Sequence, residues 1–123
     1  MLSSLIEKYK RYSLKLVVLF GSRARGDYTN ESDVDLLIVA DNLVKDPRES
    51  FIQLYDPVYP LVNPIGLNTE TFLKKLEEGS TFILEILEDG KILYADTEFL
   101  QEVMNSYEEV RRRYARKGRT WMV

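Results

Sequence analysis

Leu14-Lys15-Leu16-Val17-Val18-Leu19-Phe20, then Gly21-Ser22, and further on Ser32-Asp33-Val34-Asp35-Leu36-Leu37-Ile38-Val39 decide how this chain folds. The first run is short, apolar apart from Lys15, and rich in residues that suit a pleated strand. That pattern predicts a strand near the middle of a sheet. Gly21 ends it. A polar stretch from Ser22 to Ser32 follows, and Asp33–Val39 reads as a second strand of the same kind.

Working outward, Leu2, Leu5, Ile6 and Tyr9 fall at helical spacing and predict a helix over residues 2–13. Pro47 is placed to open a helix reaching Tyr55. Val58–Leu67 reads as a third strand, and Pro60 and Pro64 assign it to an edge or a bulge. Thr69 is a candidate N-cap for a helix carrying Phe72, Leu73 and Leu76 on one face and stopped by Gly79. Ser80 restarts a helix with Phe82, Ile83, Ile86 and Leu87 on one face. Asp89-Gly90 turns the chain into a strand over Lys91–Tyr94. Thr97 is placed to cap a long helix reaching Lys117, with Phe99, Leu100, Val103, Tyr107, Val110 and Tyr114 along one stripe. Helices and strands alternate, so the expected class is α+β (mixed α/β), a small mixed β-sheet flanked by helices.

Composition narrows the chemistry. The chain has 123 residues, 45% hydrophobic and 30% charged, which suits one globular domain over residues 1–123. It has no cysteine and no histidine, which removes disulfides, thiolate metal sites and the usual general base. Carboxylates and hydroxyls remain. No apolar run approaches the roughly 20 residues a membrane helix needs, so the expected setting is cytoplasmic, away from membranes. The formal net charge is −3, but residues 111–119 hold six of the 17 basic residues and no acid. A basic helix and tail over 97–123 on an acidic body suggests a separate task for that end.

The chemistry sits in the opening motif. Side chains alternate along a strand, so Asp33 and Asp35 point the same way from backbones roughly 6.5–7 Å apart. Leaning together, two such carboxylates can ligate one hard cation, or two cations about 3.5–4 Å apart. Magnesium fits this donor set and keeps positions open for phosphate oxygens. Gly21 lets the backbone turn sharply and approach a ligand closely. A short helix starting at Ser22 would add N–H groups and a hydroxyl for phosphate, and Arg23 or Arg25 a positive charge. The arrangement suits in-line displacement at phosphorus, which asks little of side-chain acids and bases.

Gly21-Ser22-Arg23-Ala24-Arg25-Gly26, five residues, then Ser32-Asp33-Val34-Asp35-Leu36 resembles the signature of the minimal nucleotidyltransferases, small members of the DNA polymerase beta-like superfamily. Glu88-Asp89-Gly90-Lys91-Ile92-Leu93-Tyr94 resembles the family as well. The resemblance implies the nucleotidyltransferase fold, with Gly21, Ser22, Arg25 and Ser32 at the nucleotide and Asp33 and Asp35 as the catalytic, magnesium-binding pair. It implies ATP as substrate. It also implies a HEPN-type helical partner, as in toxin–antitoxin pairs whose antitoxin transfers AMP to a partner tyrosine or neutralises the partner by occlusion.

One position departs from the pattern. The family's third carboxylate, on the following strand, falls here on Asn63, whose amide carries no charge and takes no proton. Asp56, seven residues earlier, is the candidate to replace it. Two features stand apart from the motif. The basic segment has RNA phosphates as one reading and a solvated helix end as the plainer one, since Arg111, Arg112 and Arg113 surround the helix. Trp121 suits docking on its own domain or another subunit. Tyr28 is a candidate for stacking on a base.

Overall fold

The computed structural model describes residues 2–27 and 29–116, and for 114–116 the backbone alone. Tyr28, the Tyr114 side chain, and Lys117, Arg119 and Trp121 of the basic tail therefore lie outside the described residues. The elements run α1 (Leu2–Tyr9), a 3-10 turn (Lys10–Tyr12), β1 (Leu14–Phe20), α2 (Ser22–Arg25), β2 (Val34–Ala40), α3 (Pro47–Leu54), β3 (Val62–Leu67), α4 (Thr69–Glu77), α5 (Thr81–Asp89), β4 (Lys91–Ala95) and α6 (Thr97–Arg116). Among the described residues no helix is long and apolar enough to cross a membrane.

The four strands form one mixed sheet in the order β3-β2-β1-β4, with β1 antiparallel to β2 and β4, and β2 parallel to β3. The apolar runs β1 and β2 take the two central places, as their composition requires. Alternation then divides the core. Leu16 and Val18 of β1 and Leu37 and Val39 of β2 face α4, α5 and α6, where Phe72, Ile83, Leu84 and Val103 close over them. Val17, Leu36 and Ile38 face α1 and the end of α3, against Leu5, Tyr9 and Leu54. Each such side chain, fully buried, contributes about 1.5–3 kcal/mol, so the central pair of strands anchors both layers.

Several boundaries and one helix face differ from the sequence expectation. β2 begins at Val34, leaving Asp33 just ahead of the strand. β3 begins at Val62 rather than Val58, because Asp56 organises a turn first. Its carboxylate accepts from the Val58 amide at 2.9 Å and its carbonyl from the Tyr59 amide at 2.9 Å. Pro60 lies before the strand and Pro64 within it, on the sheet edge, where a missing N–H is tolerated. On α5 Ile83, Leu84 and Ile86 are buried and Leu87 packs partly buried against the same core, while Phe82 turns outward with its ring edge-on to Phe20. The caps also shift by one residue. Asn68 accepts from the Thr71 amide at 2.8 Å and Asp96 from the Phe99 amide at 3.0 Å, so each threonine is instead the first helical residue.

Near its described end, α6 is fastened to the body. Arg113 donates to the Glu77 carbonyl of α4 at 2.8 Å, and the Arg111 guanidinium lies over the Tyr107 ring at 5.6 Å. Tyr107 itself donates to Glu88 of α5, and burial, then that bond, push its phenol up to about 12. Part of the basic cluster thus holds helices together.

Candidate active site

The register sets the site before any side chain is considered. Phe20 of β1 pairs with Asp35 of β2, and Asp35 pairs with Asn63 of β3. The end of β1, the second motif acid and the substituted position therefore stand in one row across three strands. Gly21 continues from Phe20 at the end of that row.

Gly21 adopts φ +74, a conformation that a side chain would strain. A Cβ placed there would meet Asp35 Oδ2 at 2.4 Å, so the carboxylate occupies the space that glycine leaves open. The other oxygen of the same group, Oδ1, accepts a hydrogen bond from Asn63 Nδ2 at 3.2 Å. Asp35 is thus half-buried with its two oxygens divided between neighbouring strands.

After Gly21 the chain makes one helical turn, α2. The amides of Ala24 and Arg25 bond to the Gly21 carbonyl, both at 3.1 Å, and that of Gly26 to the Ser22 carbonyl at 2.9 Å. Ser22 stands at the N-terminal end, where helix geometry leaves amides without an internal acceptor.

Asp33 is exposed, and its neighbours are pinned. Arg23 Nη2 donates to the Ser32 carbonyl at 2.9 Å, and the Val34 amide donates to the Leu61 carbonyl at 2.8 Å. Position, rather than burial, fixes this acid. Arg23 is the residue whose part was not legible in the sequence: it clamps α2 to the loop before β2, and only a contact nine residues apart shows it.

The remaining candidates divide. Arg25 is exposed and sits 3.4 Å from Asp27, a contact of little energetic weight at the surface. It also borders, with Gly21, Ala24 and Phe82, a hollow of about 290 Å³. The Ser32 hydroxyl accepts from the Thr29 amide at 3.0 Å and helps close the loop. Asp56 does not approach the row. Lys8 donates to it at 2.6 Å, and that bond, then the Val58 amide, hold its carboxyl below the ordinary range.

Among the described residues no set of three acids converges on a metal position, and no cation pairs with Asp33 or Asp35. Two exposed or half-exposed carboxylates form a hard oxygen donor set. It fits an ion such as magnesium, which keeps several waters and takes one or two carboxylates beside phosphate oxygens. Beyond Asn63, along the edge of β3, opens a cleft of about 450 Å³ lined by Phe51, Pro64, Ile65, Lys75 and Phe82 among others.

Comparison with known proteins gives this geometry its context. Residues 3–99 match the family model described as polymerase beta, nucleotidyltransferase. The chain belongs to that family. Two relatives in Methanocaldococcus jannaschii are named "Putative protein adenylyltransferase": MJ0604, 41% identical over 75% of this chain and 89% of its own length, and MJ1305, 31% identical over 79% and 69%. A solved structure described as a toxin–antitoxin with AMP-PNP matches with a TM-score of 0.57 at 20% identity, covering 94% of each chain. A mutant form of the toxin–antitoxin MntA-HpeT matches with a TM-score of 0.54 at 16% identity, over 92% of this chain and 91% of that one. At those identities the likeness is one of fold. The mixed sheet with flanking helices is thus the architecture of this nucleotidyltransferase family.

Proposed function

We propose that this nucleotidyltransferase moves AMP from ATP to a hydroxyl of a partner protein, within a toxin–antitoxin pair whose other member is a HEPN-type helical protein. The observation that carries the reading is the Asp35 carboxylate facing the open side of Gly21, across a turn suited to phosphate. In this reading Gly21 and Ser22 receive the triphosphate, with Arg25 and Ser32 beside it, and Asp33 and Asp35 hold Mg²⁺. Bound magnesium would neutralise charge developing on the phosphates.

The chain's own residues then do three things. The positive-φ turn at Gly21 lets Asp35 sit where a side chain would stand, so the turn that would take the triphosphate lies directly against the carboxylate. Asp35 presents one oxygen toward that turn, and the bonds at Ser32 and Val34 pin the backbone on either side of Asp33. In-line displacement puts the nucleophile opposite the departing pyrophosphate. With pyrophosphate at the turn, that side is the Asn63 side, where the β3 cleft opens. The name of the relatives supports a protein acceptor and adenylyl transfer, and the fold match to a toxin–antitoxin with AMP-PNP supports the setting and the nucleotide.

One observation favours a second reading. With Asn63 at the third position and Asp56 engaged by Lys8, no third acid of the described residues joins Asp33 and Asp35 in the family's usual place for the base. A nucleotide-binding antitoxin that neutralises its partner by occlusion needs no such acid. Incubating the protein with Mg²⁺, α-labelled ATP and the helical partner separates the two. Label on the partner that disappears in Asp33→Ala and Asp35→Ala supports transfer. Neutralisation without label supports occlusion, and absence of nucleotide binding would end both.

A further inference from the structure

We propose that Asn63 is a positioning residue that commits Asp35 to the Gly21 turn and limits the site to a single divalent cation. The proposal rests on the nucleotidyl-transfer reading above and deepens it. An ionised carboxylate has no proton to give, so the Asn63 amide must present its N–H side at 3.2 Å to Asp35 Oδ1. That bond fixes the carboxylate plane and leaves Oδ2 directed at the space over Gly21. It also places a donor, carrying partial positive charge, where a second cation would bridge from Asp35 toward β3. A cation there would face the N–H rather than a lone pair. The paired register of Asp35 and Asn63 makes the arrangement a property of the sheet rather than of a loop. Among the described residues no third acid gathers with Asp33 and Asp35 into one metal-binding group. Asp33 and Asp35 together suffice for one.

Mn²⁺ titration followed by electron paramagnetic resonance, with an equimolar non-hydrolysable ATP analogue, counts the ions directly. The wild-type chain should saturate at one ion. Asn63→Ala should keep that count and weaken Mn²⁺ binding by about tenfold, the usual cost of losing a group that orients a metal ligand. Asn63→Asp is nearly isosteric and should raise the count to two. Its Tm should fall without metal, because two adjoining carboxylates repel, and recover on adding Mn²⁺ by more than the wild type gains. Two ions in the wild type, or unchanged affinity in Asn63→Ala, would overturn the proposal. If Asn63→Ala does not fold, the ion count in Asn63→Asp decides alone. An Asp35→Ala chain that still binds Mn²⁺ and nucleotide as the wild type does would instead sink the underlying reading.

Discussion

Asp35 within β2 and Asp56 in the turn ahead of β3 are both partly covered acids, and the chain treats them in opposite ways. Asp56 is met by the Lys8 ammonium at 2.6 Å and the Val58 amide at 2.9 Å, so charge and lone pairs are answered internally. Asp35 has one amide N–H at 3.2 Å on one oxygen, and its other oxygen faces the gap left by Gly21. Asp56 ties α1 to the turn that precedes β3. Asp35 is joined to β3 by that single bond, and no cation of the described residues meets it. The difference separates an acid whose charge is answered inside the fold from one whose charge, among the described residues, is not.

The strongest way to break the comparison is to fill the gap. Gly21→Ala would force a Cβ into φ +74 and against Asp35 Oδ2 at 2.4 Å. The strain should cost about 1–3 kcal/mol, read as a lower Tm, and nucleotide binding should be lost even where the chain still folds. Calorimetry with an ATP analogue measures both effects on one sample. Retained binding at wild-type affinity would mean that the turn is not where phosphate sits.

Exchanging the two carboxylates for amides sharpens the contrast further. Asp35→Asn removes a charge that no cation of the described residues answers, and should change stability by less than about 0.5 kcal/mol or raise it. Asp56→Asn removes the partner of Lys8 and should lower Tm. Activity should move the other way, with Asp35→Asn reducing transfer at least about a hundredfold and Asp56→Asn leaving it near the wild type. Thermal melts beside a labelled-transfer assay read the double dissociation. Equal effects on Tm would erase the distinction.

That distinction was only half legible in the sequence. Asp35 could be placed because strand alternation and an apolar run are local signals, and β2 obeys both. Asn63 could be aligned with it by counting back from the end of β3, and the parallel register puts the two side by side. Asp33 falls one residue ahead of the strand that its sequence pattern includes it in, since a pairing boundary depends on the partner strand, and Leu61 of the turn supplies the first bond. Val58-Tyr59-Pro60-Leu61 has the residues of a strand but is folded back by Asp56, whose main partner, Lys8, lies 48 positions away. Arg23 and Phe82 were obscured for the same reason. One acts through the Ser32 carbonyl and the other faces out against Phe20, and no periodicity encodes either contact.

The smallest effect concerns Lys8, and its dependence on pH gives it diagnostic force. Hydrogen bonding from Lys8, then from the Val58 amide, holds Asp56 below the ordinary carboxylate range in the folded chain. A depressed folded pKa means that folding favours the ionised form. Its contribution is therefore full above about pH 4, near the unfolded value, and is lost as pH falls through the folded value. Lys8→Met keeps an apolar side chain of similar length while deleting the charge. The Tm difference between this variant and the wild type should be constant from neutral pH down to about pH 5, then narrow and close in more acid solution. A gap that persists at pH 2 would assign the effect of Lys8 to packing alone, and Asp56 would then owe its place to the Val58 and Tyr59 amides of its own turn.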